Sequence, residues 1–328
     1  MLVTGGAGAI GSNLCRALLD LGADVTAIDD LSCGRRWTLP RHTSFRLLRG
    51  DICDDKRLSS AFEGCPSIIF HLAAFFANQN SIEHPERDLH TNALGTLRVL
   101  EHALRNSATT RVVFASSSAI YGSVPQLPVT EDAISLDLAT PYQITKTVGE
   151  MYSTYFHRME GLPVVRARLF NSYGPGELPG RYRNVVPNFI YRAMTGESLE
   201  VTGASATRDM TFVSDIVDGL LACGHVGDAV GEAFNIGTGR EVSIRTLAQK
   251  IVDETQSSSA IKVGDRRPWD TKPRLRASID KARTVLGYTP HTELDTGLHI
   301  TIEWFRANWT RITTDSSIWC DSIAGKRS

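Results

Sequence analysis

The sequence predicts an α/β fold in which a parallel sheet is covered by helices on both faces. Short apolar and β-branched segments alternate with longer segments of helical periodicity through the first half of the 328-residue chain, as in repeated strand–helix–strand units. With 42% hydrophobic residues, the chain is long enough to bury one large core or two smaller ones. We therefore expect a large sheet-based lobe and a smaller second lobe.

The first lobe is expected to contain several strands and amphipathic helices. Apolar side chains repeat every three or four residues along residues 10–21 and again along residues 92–104, which is the period of a helix with one buried face. A further helix is expected over residues 142–159, because Pro141 precedes it and Gly161 follows it. The expected strands of the sheet are residues 2–4, 24–28, 44–49, 67–71, 111–115 and 164–170.

Beyond residue 170 the periodic pattern loosens into a turn-rich loop. Residues 212–237 again have the pattern of a strand and a helix, so we expect them to return to the first lobe. The predicted division is residues 1–170 with about 212–237 in one lobe, residues 171–211 with about 238–310 in a smaller mixed α/β lobe, and a loosely held polar tail that starts near Asn308 and occupies residues 311–328.

Three glycines follow the first expected strand. Gly5, Gly8 and Gly11 are spaced three residues apart, where they permit a tight turn and a close approach of the backbone to a phosphate. The N–H groups at the start of the next helix, which include those of Ala9 and Ile10, would face a pyrophosphate. The motif predicts a dinucleotide site in a Rossmann-type doubly wound sheet.

Asp29 indicates which dinucleotide is bound. It ends the second expected strand, 18 residues after Gly11. Its carboxylate can accept hydrogen bonds from both ribose hydroxyls and repel a 2'-phosphate, which favours NAD over NADP. Arg35 and Arg36 are close in sequence and leave NADP as the alternative.

Other cofactor positions follow from the ends of the next strands. Asp51, after the third strand, is placed where it could meet the adenine amino group, although a lone Asp there is more often a turn residue. His71, at the end of the fourth strand, is expected to be structural. The expected cofactor contacts beyond the glycines and Asp29 are Asp51, Ile52, Leu72, Ala73, Ala74 and Asn92.

Tyr142 and Lys146 lie one helical turn apart and share a face of their expected helix. A phenol with a pKa of about 10 is a poor base near neutral pH, and an adjacent ammonium favours the phenolate. The serines at residues 116–118 end the fifth strand, at the edge of a parallel sheet where ligands bind. One of these hydroxyls can bond the substrate oxygen that Tyr142 deprotonates. The combination predicts a redox site for an alcohol.

These motifs resemble those of the extended short-chain dehydrogenases/reductases, specifically the nucleotide-sugar epimerase/dehydratase family, through about Phe305. The resemblance implies that Ser117 is the catalytic serine and Tyr142 the base, and that Lys146 holds the nicotinamide ribose and lowers the pKa of Tyr142. It also implies a nucleotide-sugar substrate, with UDP favoured, and a homodimer formed through residues 94–104 and 142–159. The substrate contacts it implies are Ser118, Asn171, Asn184, Val185, Arg208, Arg267 and Asp270.

The two residues that directly follow the catalytic serine in the sequence indicate which reaction is catalysed. The family's sugar 4,6-dehydratases have acids there and its decarboxylases keep a Glu at the position of Ala119, whereas this chain has Ser118 and Ala119. The resemblance then implies 4-epimerisation, similar to UDP-glucose and UDP-glucuronate 4-epimerases, with tightly held NAD regenerated in each cycle. A dehydratase or 4-ketoreductase using Glu131 or Glu177, a decarboxylase, and an NAD-binding sensor or scaffold are the alternatives.

The segment after the fourth strand, residues 75–81, is expected near the sugar. Its Gln79 and Asn80 either recognise hydroxyl groups or cap the helix that follows. The sequence leaves these two possibilities open, and with them the identity of the sugar.

The composition favours a cytoplasmic small-molecule enzyme. Lys and Arg total 35 against 36 for Asp and Glu, so no excess of positive charge favours nucleic acid. Six cysteines without a Cys-x-x-Cys pair indicate reduced thiols and no metal site. The sequence contains no export signal and no apolar run of about 18 residues. We therefore expect neither export nor membrane spanning.

Overall fold

The computed structural model describes residues 1–106, 110–123, 126–203 and 205–315. The strands are β1 (Leu2–Thr4), β2 (Val25–Asp29), β3 (Phe45–Arg49), β4 (Ile68–His71), β5 (Arg111–Ser117), β6 (Val164–Leu169), β7 (Asn171–Tyr173), β8 (Leu199–Thr202), β9 (Thr207–Arg208), β10 (Met210–Phe212), β11 (Ala233–Ile236), β12 (Val242–Ser243) and β13 (Ile261–Gly264). The helices are α1 (Ala9–Asp20), α2 (Asp55–Phe62), α3 (Asn78–Glu83), α4 (Pro85–Asp88), α5 (Gly95–Asn106), α6 (Pro141–Glu160), α7 (Val185–Thr195), α8 (Val213–His225), α9 (Ile244–Thr255), α10 (Asp280–Leu286) and α11 (Leu294–Thr314). A wide π-helical turn, Leu89–Leu94, joins α4 to α5.

Seven of the described strands form one sheet in the order β11-β6-β5-β4-β1-β2-β3, and every neighbouring pair is parallel. The chain moves outward from β1 through β2 and β3, and then crosses to the other side of β1 with β4. Ligands of doubly wound sheets bind at the carboxyl ends of the strands where this reversal occurs. The predicted Rossmann-type α/β fold is confirmed.

Both faces of the sheet are buried, because side chains alternate between the faces along each strand. Val3 packs with α1 and α8, in a cluster that includes Leu14 and Leu220. Leu2 packs on the opposite face with α2 and α5, in a cluster that includes Leu58. The site is therefore carried on a rigid, doubly covered scaffold.

A third apolar cluster joins α7, α9 and α11 to the parallel pair β8 and β13. One part of the predicted division differs from this packing. Leu275 to Tyr288, assigned from the sequence to the smaller lobe, contribute buried side chains to the core of the large sheet. They do so because α10 covers the edge strand β11, and because Ser278 donates a backbone hydrogen bond of 2.8 Å to Val129.

The chain between Asn308 and Thr314 is not a loose tail. It continues α11, with Ile312 only 1% exposed, and Asp315 then accepts a 2.5 Å hydrogen bond from Arg35. The rest of the predicted tail, residues 316–328, lies outside the described residues. Within the described ranges, no helix combines the length and the apolar character needed to cross a membrane. A cytoplasmic location stays a prediction.

Candidate active site

Two cavities meet at the carboxyl ends of the parallel strands. The first, of about 360 Å³, extends from the glycine turn after β1 past Asp29 to the ends of β4 and β5. The second, of about 700 Å³, extends from the end of β5 into the second lobe, between α7 and the loop that carries Lys272. Ser117 and Tyr142 line both cavities. Ligands that fill the two cavities would therefore meet at these side chains.

The turn after β1 admits a ligand because glycines build it. Gly5 has a φ of 70°, and a Cβ at this residue would lie 2.7 Å from the backbone nitrogen of Ala73. A Cβ at Gly11 would collide with the carbonyl oxygen of Gly5. Helix α1 begins without a side-chain cap, so its first N–H groups stay available to an anion. The predicted residues Gly5, Gly8, Ala9, Ile10 and Gly11 all line the first cavity.

Asp29 forms a wall of the first cavity at the end of β2. Its carboxylate accepts hydrogen bonds from the N–H groups of Ala7 (2.9 Å) and Leu31 (2.8 Å), and each oxygen retains a lone pair for a further donor. Burial raises the pKa of Asp29, and the two backbone hydrogen bonds oppose the increase. Neither Arg35 nor Arg36, which left NADP open, is among the described residues that line this cavity.

The ends of β3 and β4 carry the next predicted cofactor positions. Leu72 and Ala73 donate 3.1 Å hydrogen bonds to the carbonyl and hydroxyl oxygens of Thr4, which fixes the end of β4 beside the glycine turn. Asp51 accepts a 2.8 Å hydrogen bond from the N–H of Cys53. The predicted residues Asp51, Ile52, Leu72, Ala73 and Ala74 all line the first cavity.

Asn92 is not among the described residues that line the first cavity, and its predicted cofactor contact has no support from its position. Its side chain is only 2% exposed, because the π-helical turn carries it into the protein interior. The amide accepts a 2.7 Å hydrogen bond from the N–H of Phe75 and donates to the carbonyl of Phe75 (3.0 Å) and to Asp88 (2.8 Å). Asn92 thus holds the loop after β4 in place.

Tyr142 and Lys146 lie on the face of α6 that is turned toward β5. The α6 N-terminus is fixed by Thr140, whose hydroxyl accepts a 3.3 Å hydrogen bond from the N–H of Gln143. Tyr142 and Ser117 both line the two cavities, and Ser117 acts to lower the pKa of the Tyr142 phenol. The Lys146 ammonium donates a 2.8 Å hydrogen bond to the carbonyl of Ala115 and lies 5.9 Å from the centre of the Tyr142 ring. The structure thus brings the three predicted catalytic residues together.

The protein alone does not lower the pKa of Tyr142. Burial raises this pKa, while Ser117 opposes the increase and Asp88 adds to it. Burial also lowers the pKa of Lys146 to about 8, with Asp88 and Glu150 opposing the decrease. Lys146 is therefore mostly protonated at neutral pH, and burial is the largest influence on the pKa of the phenol. The role of Lys146 in lowering the pKa of Tyr142, together with the charge of a bound nicotinamide, stays a prediction.

Glu150 is a supporting residue that the sequence prediction missed. It continues the face of Tyr142 and Lys146 by one more turn, and this spacing was the available signal. Its carboxylate accepts hydrogen bonds from Ser116 (2.5 Å) and, in a bidentate pair, from Arg168 (2.8 and 2.7 Å). Arg168 is only 1% exposed. The paired charges fasten α6 to β5 and β6 directly beneath the site.

His71 has the structural role that was expected. Its Nδ1 lies 2.7 Å from the hydroxyl of Thr4, and its Nε2 lies 3.0 Å from the hydroxyl of Thr96. Burial lowers its pKa to about 3, so the ring is neutral. It connects β1, β4 and α5 beside the first cavity.

The second cavity contains the predicted substrate residues. The Asn171 side-chain oxygen is buried without a hydrogen-bond partner among the described residues, which leaves an acceptor for a ligand. Arg208 donates a 2.6 Å hydrogen bond to Asp270, and Asn184 donates one of 2.7 Å to Glu177. Ser118, Asn171, Asn184, Val185, Arg208, Arg267 and Asp270 all line this cavity.

Within the segment of residues 75–81, residues 76–79 line the second cavity. The indole N–H of Trp269 donates a 2.8 Å hydrogen bond to the side-chain oxygen of Gln79, so the loop that carries Trp269 is tied across the cavity. Asn80 is only 3% exposed and donates a 2.7 Å hydrogen bond to the carbonyl of Phe76. Of Gln79 and Asn80, Gln79 therefore lines the cavity and Asn80 maintains the shape of the segment.

Neither alternative acid lies in the second cavity. Glu131 accepts a 2.8 Å hydrogen bond from the N–H of Asn235 and is not among the residues that line either cavity. Glu177 lines the first cavity but not the second, and burial raises its pKa to about 7. A dehydratase or 4-ketoreductase reaction through these two residues therefore has no support from their positions.

Lys272 is a cavity residue that the sequence prediction missed. Its ammonium donates hydrogen bonds to the carbonyls of Ser118 (2.8 Å) and Ala119 (3.2 Å). It lies 154 residues from Ser118 in the chain, and no local pattern connects the two positions. The one available signal was its place two residues after Asp270.

Comparisons with known proteins agree with this architecture. The model of the NAD-dependent epimerase/dehydratase family matches residues 1–237. A UDP-glucose 4-epimerase of Mycolicibacterium smegmatis is 35% identical over 310 residues, which are 93% of this chain and 98% of that protein. A UDP-N-acetyl-alpha-D-glucosaminuronate decarboxylase of Bacillus cytotoxicus is 34% identical over 318 residues, 93% of this chain and 97% of that protein. The structure of an epimerase from Methanothermobacter thermautotrophicus has a TM-score of 0.94 and 47% identity, and the match covers 96% of this chain and 94% of that one. The chain therefore belongs to the NAD-dependent epimerase/dehydratase family of nucleotide-sugar enzymes.

Proposed function

We propose that the protein inverts C4 of a nucleotide-diphosphate sugar, a UDP-hexose or a UDP-hexuronic acid, through a transient 4-keto intermediate. One observation carries this proposal: among the described lining residues of the second cavity, no carboxylate stands beside Ser117 and Tyr142. The acidic residues of that lining are Glu200, on β8, and Asp270, which is paired with Arg208. Loss of water from the sugar needs an acid near the reacting carbons, and epimerisation does not.

The first cavity fits NAD, the cofactor of the family. Its glycine turn leaves no space for a Cβ, its helix start is uncapped, and Asp29 retains acceptors for ribose hydroxyls. The residues that would hold NAD are the glycine turn, Asp29, residues 72–74 and Lys146. When bound, NAD accepts a hydride from C4 of the sugar and later returns it.

Tyr142 is proposed to accept the proton of the C4 hydroxyl, and Ser117 to bond the same oxygen. Because burial raises the pKa of the phenol, this transfer requires positive charge close by. Lys146 supplies part of that charge, since its pKa of about 8 keeps it mostly protonated at neutral pH. The ketone then turns over within the second cavity, and Tyr142 returns the proton.

The test is to incubate the purified protein with UDP-glucose, UDP-glucuronic acid and UDP-N-acetylglucosamine and to follow C4 of each sugar by NMR. We expect an inverted C4 in at least one product, with neither water nor carbon dioxide released. Loss of carbon dioxide would favour the decarboxylase that the Bacillus cytotoxicus relative suggests, and loss of water would favour a dehydratase.

We also propose a homodimer formed through α5 and α6. Three apolar side chains of α6 are largely exposed, namely Ile144 (48%), Met151 (65%) and Met159 (72%). A groove of about 460 Å³ lies between the helices and is lined by Leu94 and Leu97 among others. In analytical ultracentrifugation, Met151→Glu should sediment as a monomer, whereas Ile300→Glu on the exposed side of α11 should remain a dimer. A dimeric Met151→Glu protein would contradict this interface.

A further inference from the structure

Lys272 lies at the sugar end of the second cavity and has no role in the chemistry proposed above. Its ammonium is held by the carbonyls of Ser118 and Ala119, at 2.8 and 3.2 Å. These two residues directly follow Ser117. The ammonium is thus fixed close to the point where C4 of a sugar would meet Tyr142.

Lys272 has no carboxylate partner in the part of the chain that the structure describes. Asp270, two residues away, is bound to Arg208 at 2.6 Å. Burial lowers the pKa of Lys272 to about 7, Arg208 contributes to the decrease, and Asp270 opposes it. A buried ammonium without an anion costs free energy, so an anionic ligand at this place would be stabilised.

The charge of the whole cavity agrees with an anionic ligand. Among its described lining residues, six side chains are cationic and two are acidic. Arg208 and Arg267 are two of these cations, and the resemblance to the family implies that both contact the substrate. Lys272 is a separate cation, because it is anchored on the strand end that carries the catalytic serine.

We propose that the sugar of the substrate is a hexuronic acid and that Lys272 binds its carboxylate. This inference rests on the proposed function, because it requires C4 to lie at Tyr142. In a hexuronic acid the carboxylate is attached to C5, the neighbour of C4, so it would lie beside the carbonyls of Ser118 and Ala119. The ammonium has three N–H donors, and the two carbonyls leave one for the carboxylate.

The same contact bears on the fate of the intermediate. A 4-keto hexuronic acid is a β-keto acid, which loses carbon dioxide when the C5–carboxylate bond breaks and its electron pair moves toward the ketone. An ion pair with Lys272 stabilises the charge on the carboxylate before that bond breaks. Lys272 therefore opposes decarboxylation and favours return of the intermediate to an alcohol.

The test compares kcat/KM for UDP-glucuronic acid and UDP-glucose in the wild type, Lys272→Met and Lys272→Arg. Lys262→Met, which changes an exposed lysine on β13, is the matched control. The wild type should prefer the hexuronic acid. Lys272→Met should lower the ratio of the two kcat/KM values by about 30-fold or more, as expected for a buried charge pair that loses one partner. Lys272→Arg should keep more of the preference than Lys272→Met, and Lys262→Met should keep all of it.

A wild-type preference for UDP-glucose, or an equal loss for both sugars in Lys272→Met, would overturn the proposal. If Lys272→Met does not fold, the proposal is tested by two values: the ratio of kcat/KM for the two sugars in the wild type, and the same ratio in Lys272→Arg. Product NMR separates this inference from the proposed function. Loss of carbon dioxide or water from the hexuronic acid, with a preference for that sugar that depends on Lys272, would overturn the epimerase and the effect of Lys272 on the intermediate but leave the carboxylate site in place. C4 inversion of UDP-glucose without preference for the acid would overturn the carboxylate site alone. Failure to convert UDP-glucuronic acid and UDP-glucose overturns the carboxylate site, and failure to convert UDP-N-acetylglucosamine as well overturns the proposed function.

Discussion

The two cavities are built from different parts of the polypeptide. The first is shaped mainly by backbone: the glycine turn, an uncapped helix start and the ends of parallel strands. The second is shaped by side chains from distant segments, such as Gln79 bound to Trp269 and Lys272 bound to the strand end at Ser118. A backbone site tolerates no added atoms, whereas a side-chain site depends on individual donors and charges.

The largest expected effect is in the backbone-built cavity. Gly11→Ala places a Cβ against the carbonyl of Gly5, so the turn must open. We expect loss of bound NAD, measured in the protein after gel filtration, and a decrease of about 1–3 kcal/mol in the free energy of unfolding. Gly64→Ala, where a Cβ meets nothing within 4 Å, is the control. Full retention of NAD by Gly11→Ala would contradict the role assigned to the turn.

The next effect is at the junction of the cavities. Tyr142→Phe should leave NAD bound and lower kcat by about 10²–10⁴-fold, the contribution of a positioned acid or base. Tyr155→Phe removes a hydroxyl from the exposed side of the same helix, where it bonds Glu160, and should retain activity. Near-normal turnover in Tyr142→Phe would remove this residue from the mechanism.

A smaller effect is expected in the wall of the second cavity. Trp269→Phe removes the indole N–H that donates to Gln79, and one neutral hydrogen bond contributes about 1 kcal/mol. We expect KM for the nucleotide sugar to rise by about 5-fold, with NAD content unchanged. Trp309→Phe, on α11 against Tyr191, should not change KM. An altered NAD content in Trp269→Phe would show that the two cavities are not independent.

The smallest effect concerns Glu177, whose pKa burial raises to about 7 from an ordinary value of 4.5. Between these pH values the folded state binds more protons at this residue than the unfolded state, so the stability from this group falls as the pH rises. Glu177→Gln removes the titrating carboxyl group and with it this loss of stability at higher pH. The Tm of the variant relative to wild type should therefore rise from pH 5 to pH 8, by a few degrees. The raised pKa would be contradicted if the Tm difference between Glu177→Gln and wild type is the same at pH 5 and pH 8. It would also be contradicted if this difference changes with pH only as much as it does for Glu63→Gln, which replaces an exposed residue.

The same contrast explains what the sequence could predict. The glycine turn, Asp29 and the small residues after β4 act through backbone geometry that a short motif specifies, and all of them line the first cavity. Lys272 and Trp269 reach the second cavity only through folding of distant segments, so no local pattern marked them. The resemblance to a family predicted Arg208 and Arg267 as substrate contacts. It could do so because a family's motifs relate residues that are far apart in the sequence, which the spacing of residues within one short segment cannot.

Two differences between the sequence prediction and the structure have local causes. Asn92 was assigned to the cofactor, but the π-helical turn buries its amide against Phe75 and Asp88. The polar composition after Asn308 suggested a tail, although Phe305, Trp309 and Ile312 continue one apolar stripe of α11. In both places the prediction relied on the polar character of the residues and gave less weight to the helical spacing of the apolar residues around them.

The central claim is that one sugar carbon is oxidised and restored at the junction of the two cavities. The most direct measurement uses UDP-glucuronic acid and UDP-glucose that carry deuterium on C4, with the product examined by NMR after incubation in ordinary water. The account predicts a C4 epimer that keeps its deuterium on C4, with no solvent hydrogen entering at C4 or C5. Loss of the label to solvent, or exchange at C5, would contradict it.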